Sequence, residues 1–199
     1  MDFDFTRFEF SPVIHLPQRF EIYDFSSGYD PERYRCHPYG IGRYNERRPG
    51  MYSNGIFNGN GKPRDIHVGI DIAAPVGTAV HAFFAGRILF KGINASDGDY
   101  GGTLITEHIL DDRWIWALHG HLSHGSIAAR NDGEYFKRGE VIAWIGDHSE
   151  NGGWNPHLHF QLSWLKPERC DMPGAVNEND LALALATYPD PRMVLGSLY

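Results

Sequence analysis

The sequence predicts a mainly β fold, an antiparallel β-sheet sandwich, on three observations. Short β-branched and apolar runs recur from Arg64 onward, with glycine turns between them. Aromatic residues make up 14% of the chain and glycines number 23, a mix that favours strands and tight turns over long helices. No alternation of strand-like and helix-like segments supports a parallel sheet covered by helices.

In chain order, residues 1–55 read as an irregular N-terminal extension, rich in Phe, Tyr, Pro and Arg and without clear periodicity. Phe3, Phe5, Phe8 and Phe10 predict an extended segment that lays its aromatic rings on the core. Ser53 to Lys62 is rich in Asn and Gly and reads as a loop. Residues 56–166 hold seven predicted strands: Ile66–Ile72, Ala79–Ala82, Gly86–Lys91, Thr103–His108, Trp114–Leu118, Val141–Gly146 and His157–Ser163. Residues 167–199 form a C-terminal tail in which only Leu181–Thr187 has a helical pattern, ended by Pro189, Asp190 and Pro191.

A chain of 199 residues is the size of one domain with terminal extensions and can bury a real core. Its net charge of -7 and lack of a long basic run exclude the electrostatic footprint of a nucleic-acid binder. The short pairs Arg47-Arg48 and Lys137-Arg138 read as solvated surface. Cys36 and Cys170 lie far apart and outside any Cys-x-x-Cys pair, so a thiolate metal site is not expected; one disulfide or two free thiols are both open. No basic region followed by an apolar run opens the chain, so no signal peptide is visible and the expected location is cytoplasmic, or secreted or periplasmic if a leader has been removed. No apolar stretch is long enough to span a bilayer.

Eleven histidines are more than a structural role needs, and three groups stand out. In His157-Leu158-His159-Phe160-Gln161-Leu162, strict alternation puts His157, His159 and Gln161 on one face of a strand. The two histidines then point the same way, about 6–7 Å apart. The spacing His67-Val68-Gly69-Ile70-Asp71 would share a face on a helix, but Val68, Gly69, Ile70 and Ile72 disfavour one. In a straight strand the pair would lie about 13 Å apart. The two converge only if the chain bends, and Gly69 is the obvious place. His67, Asp71 and one histidine of the last strand make a two-histidine, one-carboxylate set suited to one zinc ion with an open position for water. A third group, His119, His121 and His124, is expected to follow a strand, where a turn brings an imidazole over the metal to accept a proton or stabilise an oxyanion. His15, His37, His81, His108 and His148 are assigned ordinary structural or surface roles. Each motif taken alone has a bland reading: His-x-His occurs by chance or packing, and Asp71 can simply cap a turn before Pro75.

Five blocks in order resemble the lysostaphin-type (LytM-like) zinc metallopeptidases. They are His67-Val-Gly-Ile-Asp71 running on to Gly77-Thr, Ala85-Gly86-Arg-Ile, Gly120-His121-Leu122-Ser123, Lys137-Arg-Gly139 through Gly146, and Pro156-His157-Leu158-His159-Phe160. The resemblance covers about half the chain. It implies that residues 56–166 are a zinc metallopeptidase domain with an open groove. It further implies that His67, Asp71 and His159 bind one zinc ion, and that His121 and His157 are catalytic. Family members commonly cut peptides of bacterial peptidoglycan.

The sequence departs from the family pattern in places. His119 stands where a Tyr is usual, placing an extra imidazole nearby, and Glu150-Asn-Gly-Gly-Trp-Asn155 replaces the usual loop before the closing block. That loop, Asp171-Met-Pro-Gly and Tyr188-Pro-Asp-Pro resemble an intracellular subgroup also found fused to phosphotransferase and aminotransferase domains. Three functions follow as expectations. The first is a zinc endopeptidase with a peptidoglycan peptide as substrate. The second is an intracellular zinc hydrolase of a small amide or peptide-like metabolite. The third is a non-catalytic ligand-binding relative. A latent form is a further expectation, in which the segment around Asn45 folds over the groove and fills the fourth zinc position.

Overall fold

The computed structural model describes residues 3–30, 32, 37–57 and 62–199. The strands among the described residues are β1 (Glu21–Ile22), β2 (Gly40–Gly42), β3 (Glu46–Arg47), β4 (Ile66–His67), β5 (Ile70–Ala73), β6 (Ala79–His81), β7 (Gly86–Asn94), β8 (Gly101–Leu110), β9 (Arg113–Leu122), β10 (Tyr135–Phe136), β11 (Val141–Trp144), β12 (His157–Ser163) and β13 (Ala175–Val176). Short helices α1 (His124–Ala128), α2 (Leu181–Thr187) and α3 (Arg192–Leu195) complete the chain. The mainly β, antiparallel expectation holds, and α2 forms over the residues that have the helical pattern.

The main sheet has the order β1-β2-β5-β12-β9-β8-β7-β10. Every neighbouring pair in it is antiparallel except β1 and β2. A ribbon of β6 and β11 and a three-stranded sheet β13-β4-β3 flank it. The predicted strand over residues 66–72 is broken in two: β4 ends at His67 and β5 begins at Ile70, with the bend at Val68-Gly69. Gly69 is obligatory there because a Cβ would lie 2.5 Å from His159 Cε1.

Alternation then sorts the faces. Ile70, Ile72, Leu158, Phe160 and Leu162 are fully buried and join Val80, Ile142 and Ala143 of the ribbon in one core. Burial of this apolar area is the main stabilising contribution to the fold. The opposite face of β5 and β12 carries Asp71, His157, His159 and Gln161.

The N-terminal extension is woven into this architecture. β2 pairs with β5 and β3 with β4. Phe3, Phe5, Phe8 and Phe10 pack around Trp164, Phe83 and Phe84 with ring centroids 4.9–6.3 Å apart as expected, but the segment is not wholly extended, because Phe5–Arg7 form a 3-10 turn capped by Asp4. Cys36 lies outside the described residues, so the cysteine expectation is open on that side; the Cys170 thiol is free and donates to Thr103 O. No helix among the described residues is long and apolar enough to cross a membrane.

Candidate metal centre

Two strand pairings bring the predicted donors into one row. His159 sits opposite Asp71 on β5 and opposite Gly120 on β9. The bend at Gly69 swings His67 back over this row. The three side chains are buried and meet in a near-equilateral triangle. His67 Nε2 lies 3.2 Å from Asp71 Oδ1, His159 Nδ1 lies 3.0 Å from the same oxygen, and the two nitrogens are 3.1 Å apart.

The outer hydrogen bonds fix where the protons are. His67 Nδ1 donates to Arg43 O at 2.9 Å, which leaves its Nε2 bare. His159 Nε2 donates to Gln161 Oε1 at 3.0 Å, which leaves its Nδ1 bare. The Gln161 amide is itself oriented, because its Nε2 donates to Pro173 O at 3.4 Å. In these tautomers His67 Nε2, His159 Nδ1 and Asp71 Oδ1 aim three lone pairs at one point. Such a set repels itself unless a cation lies between. Tetrahedral bonds of about 2.0–2.1 Å hold ligand atoms about 3.3 Å apart, so the triangle fits one such ion.

The electrostatics agree. Burial, and then the Arg48 charge, pushes the His67 imidazole down to about 4, so it is neutral near pH 7. Burial works against the Asp71 carboxylate, but its contacts with His67, Arg48 and His159 outweigh it and hold its carboxyl well below the usual range. Asp71 is thus ionised.

His121 and His157 stand beside the triangle, their ring centroids 4.2 Å apart. His121 lies inside β9; the expectation that its group follows a strand is corrected. By alternation it would share the core face with His119. Its φ of +63° turns the side chain over instead, toward His159. That conformation costs about 1–3 kcal/mol. It is held by His121 N donating to Tyr100 O at 2.7 Å and Gly146 N donating to His121 O at 2.9 Å.

The loop Glu150–Asn155 orients both rings. His121 Nδ1 donates to Asn151 O at 2.8 Å, and His157 Nδ1 donates to Asn155 O at 2.7 Å. Asn151 is fully buried and clamps the loop through two bonds to Trp154. Each histidine is left with a bare Nε2, and His157 Nε2 is 3.7 Å from Asp71 Oδ1. Burial lowers both imidazoles, His121 strongly, so both are neutral near pH 7.

Three further expectations change. Arg48 is not solvated surface: it is 1% exposed. Its Nη1 donates to Asp71 Oδ2 at 2.6 Å and to Tyr52 Oη at 3.0 Å, and its Nε donates to Glu46 Oε2 at 2.9 Å. The reason is the β3–β4 pairing, which carries Arg48 over the carboxylate; nothing in an Arg-Arg pair signals this. Asn45 is exposed in the turn between β2 and β3, so the residue of the extension that reaches the centre is Arg48. His119 faces the core, packed on Phe160 at 5.3 Å, and is not beside the metal donors.

All five predicted residues line one cavity of about 400 Å³, walled also by Tyr29 and Tyr52 of the extension, by Phe57 and by residues of the Arg169–Gly174 segment. A buried His-Asp-His triangle that could hold a metal ion, with two oriented neutral imidazoles in the same cavity, fits the hydrolytic metallopeptidase class. The model of Peptidase family M23 matches residues 65–171, and the chain belongs to that family. It is 38% identical over 96 residues to the DD-carboxypeptidase/endopeptidase Mpg of Neisseria meningitidis serogroup B, a match covering 48% of this chain and 20% of the relative. It is 34% identical over 112 residues to lysostaphin of Staphylococcus staphylolyticus, covering 56% and 20%. The match thus spans about a fifth of the length of these relatives. Among solved structures, the catalytic domain of lysostaphin from Staphylococcus simulans aligns with a TM-score of 0.46 at 22% identity, covering 78% of this chain and 98% of that one.

Proposed function

We propose that the chain is a zinc metalloendopeptidase that hydrolyses peptide bonds with a peptidoglycan peptide as its default substrate. The observation that carries this reading is the triangle of three proton-free donors, His67 Nε2, His159 Nδ1 and Asp71 Oδ1, within 3.0–3.2 Å of one another. Family membership supports it, as do the names of relatives such as lysostaphin and the glycyl-glycine endopeptidase ALE-1 of Staphylococcus capitis.

His67, Asp71 and His159 would hold the ion. A bound zinc supplies Lewis acidity toward the scissile carbonyl and toward water. The chain's own groups move the proton. The bare Nε2 of His121 or His157 accepts it from the attacking water as the new carbon–oxygen bond forms. The resulting imidazolium returns it to the amide nitrogen as the carbon–nitrogen bond breaks. The carbonyls of Asn151 and Asn155 keep both rings in the productive tautomer. Metal analysis joined to zymography on cell-wall material tests the reading. We expect about one zinc per chain and clearing that a chelator abolishes; a zinc-loaded sample that clears nothing and cleaves no peptide would overturn it.

A second reading has its own observation. The extension and the tail wall the cavity, which at about 400 Å³ suits a short peptide or small amide better than a polymer strand. Turnover of small peptides without clearing of cell wall would favour it.

A further inference from the structure

The charged groups of the cavity sort themselves by partner. Arg48 is neutralised by Asp71 and Glu46, and Arg169 pairs with Asp171 at 2.8 Å. One group of each sign is left over. Arg64 is a half-buried guanidinium with no carboxylate partner among the described residues. It is held rigidly: its Nε donates to Ala175 O at 2.7 Å, its Nη1 donates to Ile56 O at 3.3 Å, and its plane lies over the Phe57 ring at 5.7 Å. Both bonds are to neutral carbonyls, so the guanidinium has no ion-pair partner in contact, and its Nη2 has no acceptor, among the described residues; its charge reaches Asp99 only through space. Asp99 is the counterpart. Its Oδ1 accepts from Tyr100 N at 2.8 Å, and its other oxygen has no protein donor among the described residues. Arg64 and Asp99 line the same cavity without pairing with each other.

We propose that the cavity receives the zwitterionic end of its ligand, a group bearing a free carboxylate held by Arg64 and a free ammonium held by Asp99. Two opposite charges kept apart in a partly buried site cost desolvation that only a ligand of matching charges returns. An inorganic anion would satisfy Arg64 alone and be repelled by Asp99. A neutral peptide would leave both groups unsatisfied. Apolar neighbours Ile56, Phe57 and Met172 line the same space and suit the aliphatic stem of an amino acid. The cavity also holds the His67–Asp71–His159 triangle, so the bond presented to that centre would be an amide on the stem. The ligand class is thus an isopeptide whose distal amino acid keeps its own ammonium and carboxylate. This rests on the peptidase reading only for what is cleaved, and not for what is bound.

The probe is the ketomethylene isostere of Nε-alanyl-lysine, which cannot be hydrolysed, tested against the same molecule with its carboxylate amidated and with its α-ammonium acetylated. Calorimetric titration into the metal-loaded chain should show each modification weakening binding about 10- to 100-fold, the range for one hydrogen bond to a charged group. Arg64→Met should erase the penalty for amidation and leave that for acetylation, and Asp99→Asn should do the reverse. The arms on the unmutated chain decide the matter even if a variant fails to fold. Equal affinity for all three probes, or binding of none, overturns the proposal, as does an Arg64→Met chain that loses affinity for all three alike. Hydrolysis of the parent amide and of cell-wall material is measured separately, so a chain that binds the isostere but hydrolyses neither these nor any other peptide would sink the peptidase reading and leave this one standing.

Discussion

Replacing His119 by leucine should stabilise the chain, and the gain should grow as pH falls. Neither buried His119 ring nitrogen has a well-formed hydrogen bond among the described residues, and the Leu104 backbone offers the ring only a marginal one. A buried neutral polar group left unsatisfied costs about 1–3 kcal/mol, and leucine has a similar volume without that cost. Burial also pushes the imidazole down to about 3 from an ordinary 6.5. The unfolded chain therefore takes up a proton first as pH falls, so stability is full above about 6.5 and lost on the way down to 3. At pH 7.5 this second contribution is negligible; at pH 5 the 1.5 units below 6.5 are worth about 2 kcal/mol. Urea unfolding of both chains, with metal removed, should show His119→Leu ahead by about 1–3 kcal/mol at pH 7.5 and by about 2 kcal/mol more at pH 5. A leucine variant that is less stable at pH 7.5, or a difference that does not change between the two pH values, would refute the reasoning.

Gln161→Ala should cost about 10- to 100-fold in zinc affinity, read by competition with a chromophoric chelator, because the His159 tautomer loses the acceptor that sets it; an unchanged affinity would show that Gln161 orients nothing. Gly69→Ala puts a Cβ 2.5 Å from His159 Cε1 in a closed site, so thermal unfolding should report a loss of about 1–3 kcal/mol together with weaker metal binding. Arg48→Met strands Asp71 and Glu46 as buried, unpaired carboxylates, and about 3–5 kcal/mol should be lost in denaturant unfolding of the metal-free chain at pH 7. In the metal-free chain, His67 and His108 are both lowered to about 4, so stability should fall further between pH 6.5 and pH 4. Saturating zinc should hold His67 unprotonated and move that component of the loss to lower pH.

The strands were legible because their cause is local. Alternation in 157–163 reads directly as one polar and one apolar face, and the core takes Leu158, Phe160 and Leu162 as that pattern requires. The bend at Gly69 was legible too, since His67 and Asp71 share a site only if the strand breaks between them. His121 was harder. Its motif marked it, but its facing depends on a positive φ held by hydrogen bonds to Tyr100 and Gly146, residues distant in sequence.

By itself, the sequence determined the strand pattern and the place of the bend and narrowed the metal donors expected to His67, Asp71 and one histidine of the last strand, because side-chain chemistry and period-2 alternation are properties of a few consecutive residues; the family resemblance, not alternation, pointed to His159. Only the tertiary structure decided that Arg48 is buried on Asp71, that His119 faces the core, that the Asn151 and Asn155 carbonyls orient the two free imidazoles, and that Arg64 and Asp99 form no ion pair among the described residues. Each of those depends on which segments of distant sequence pack together, and on which charge finds a partner there.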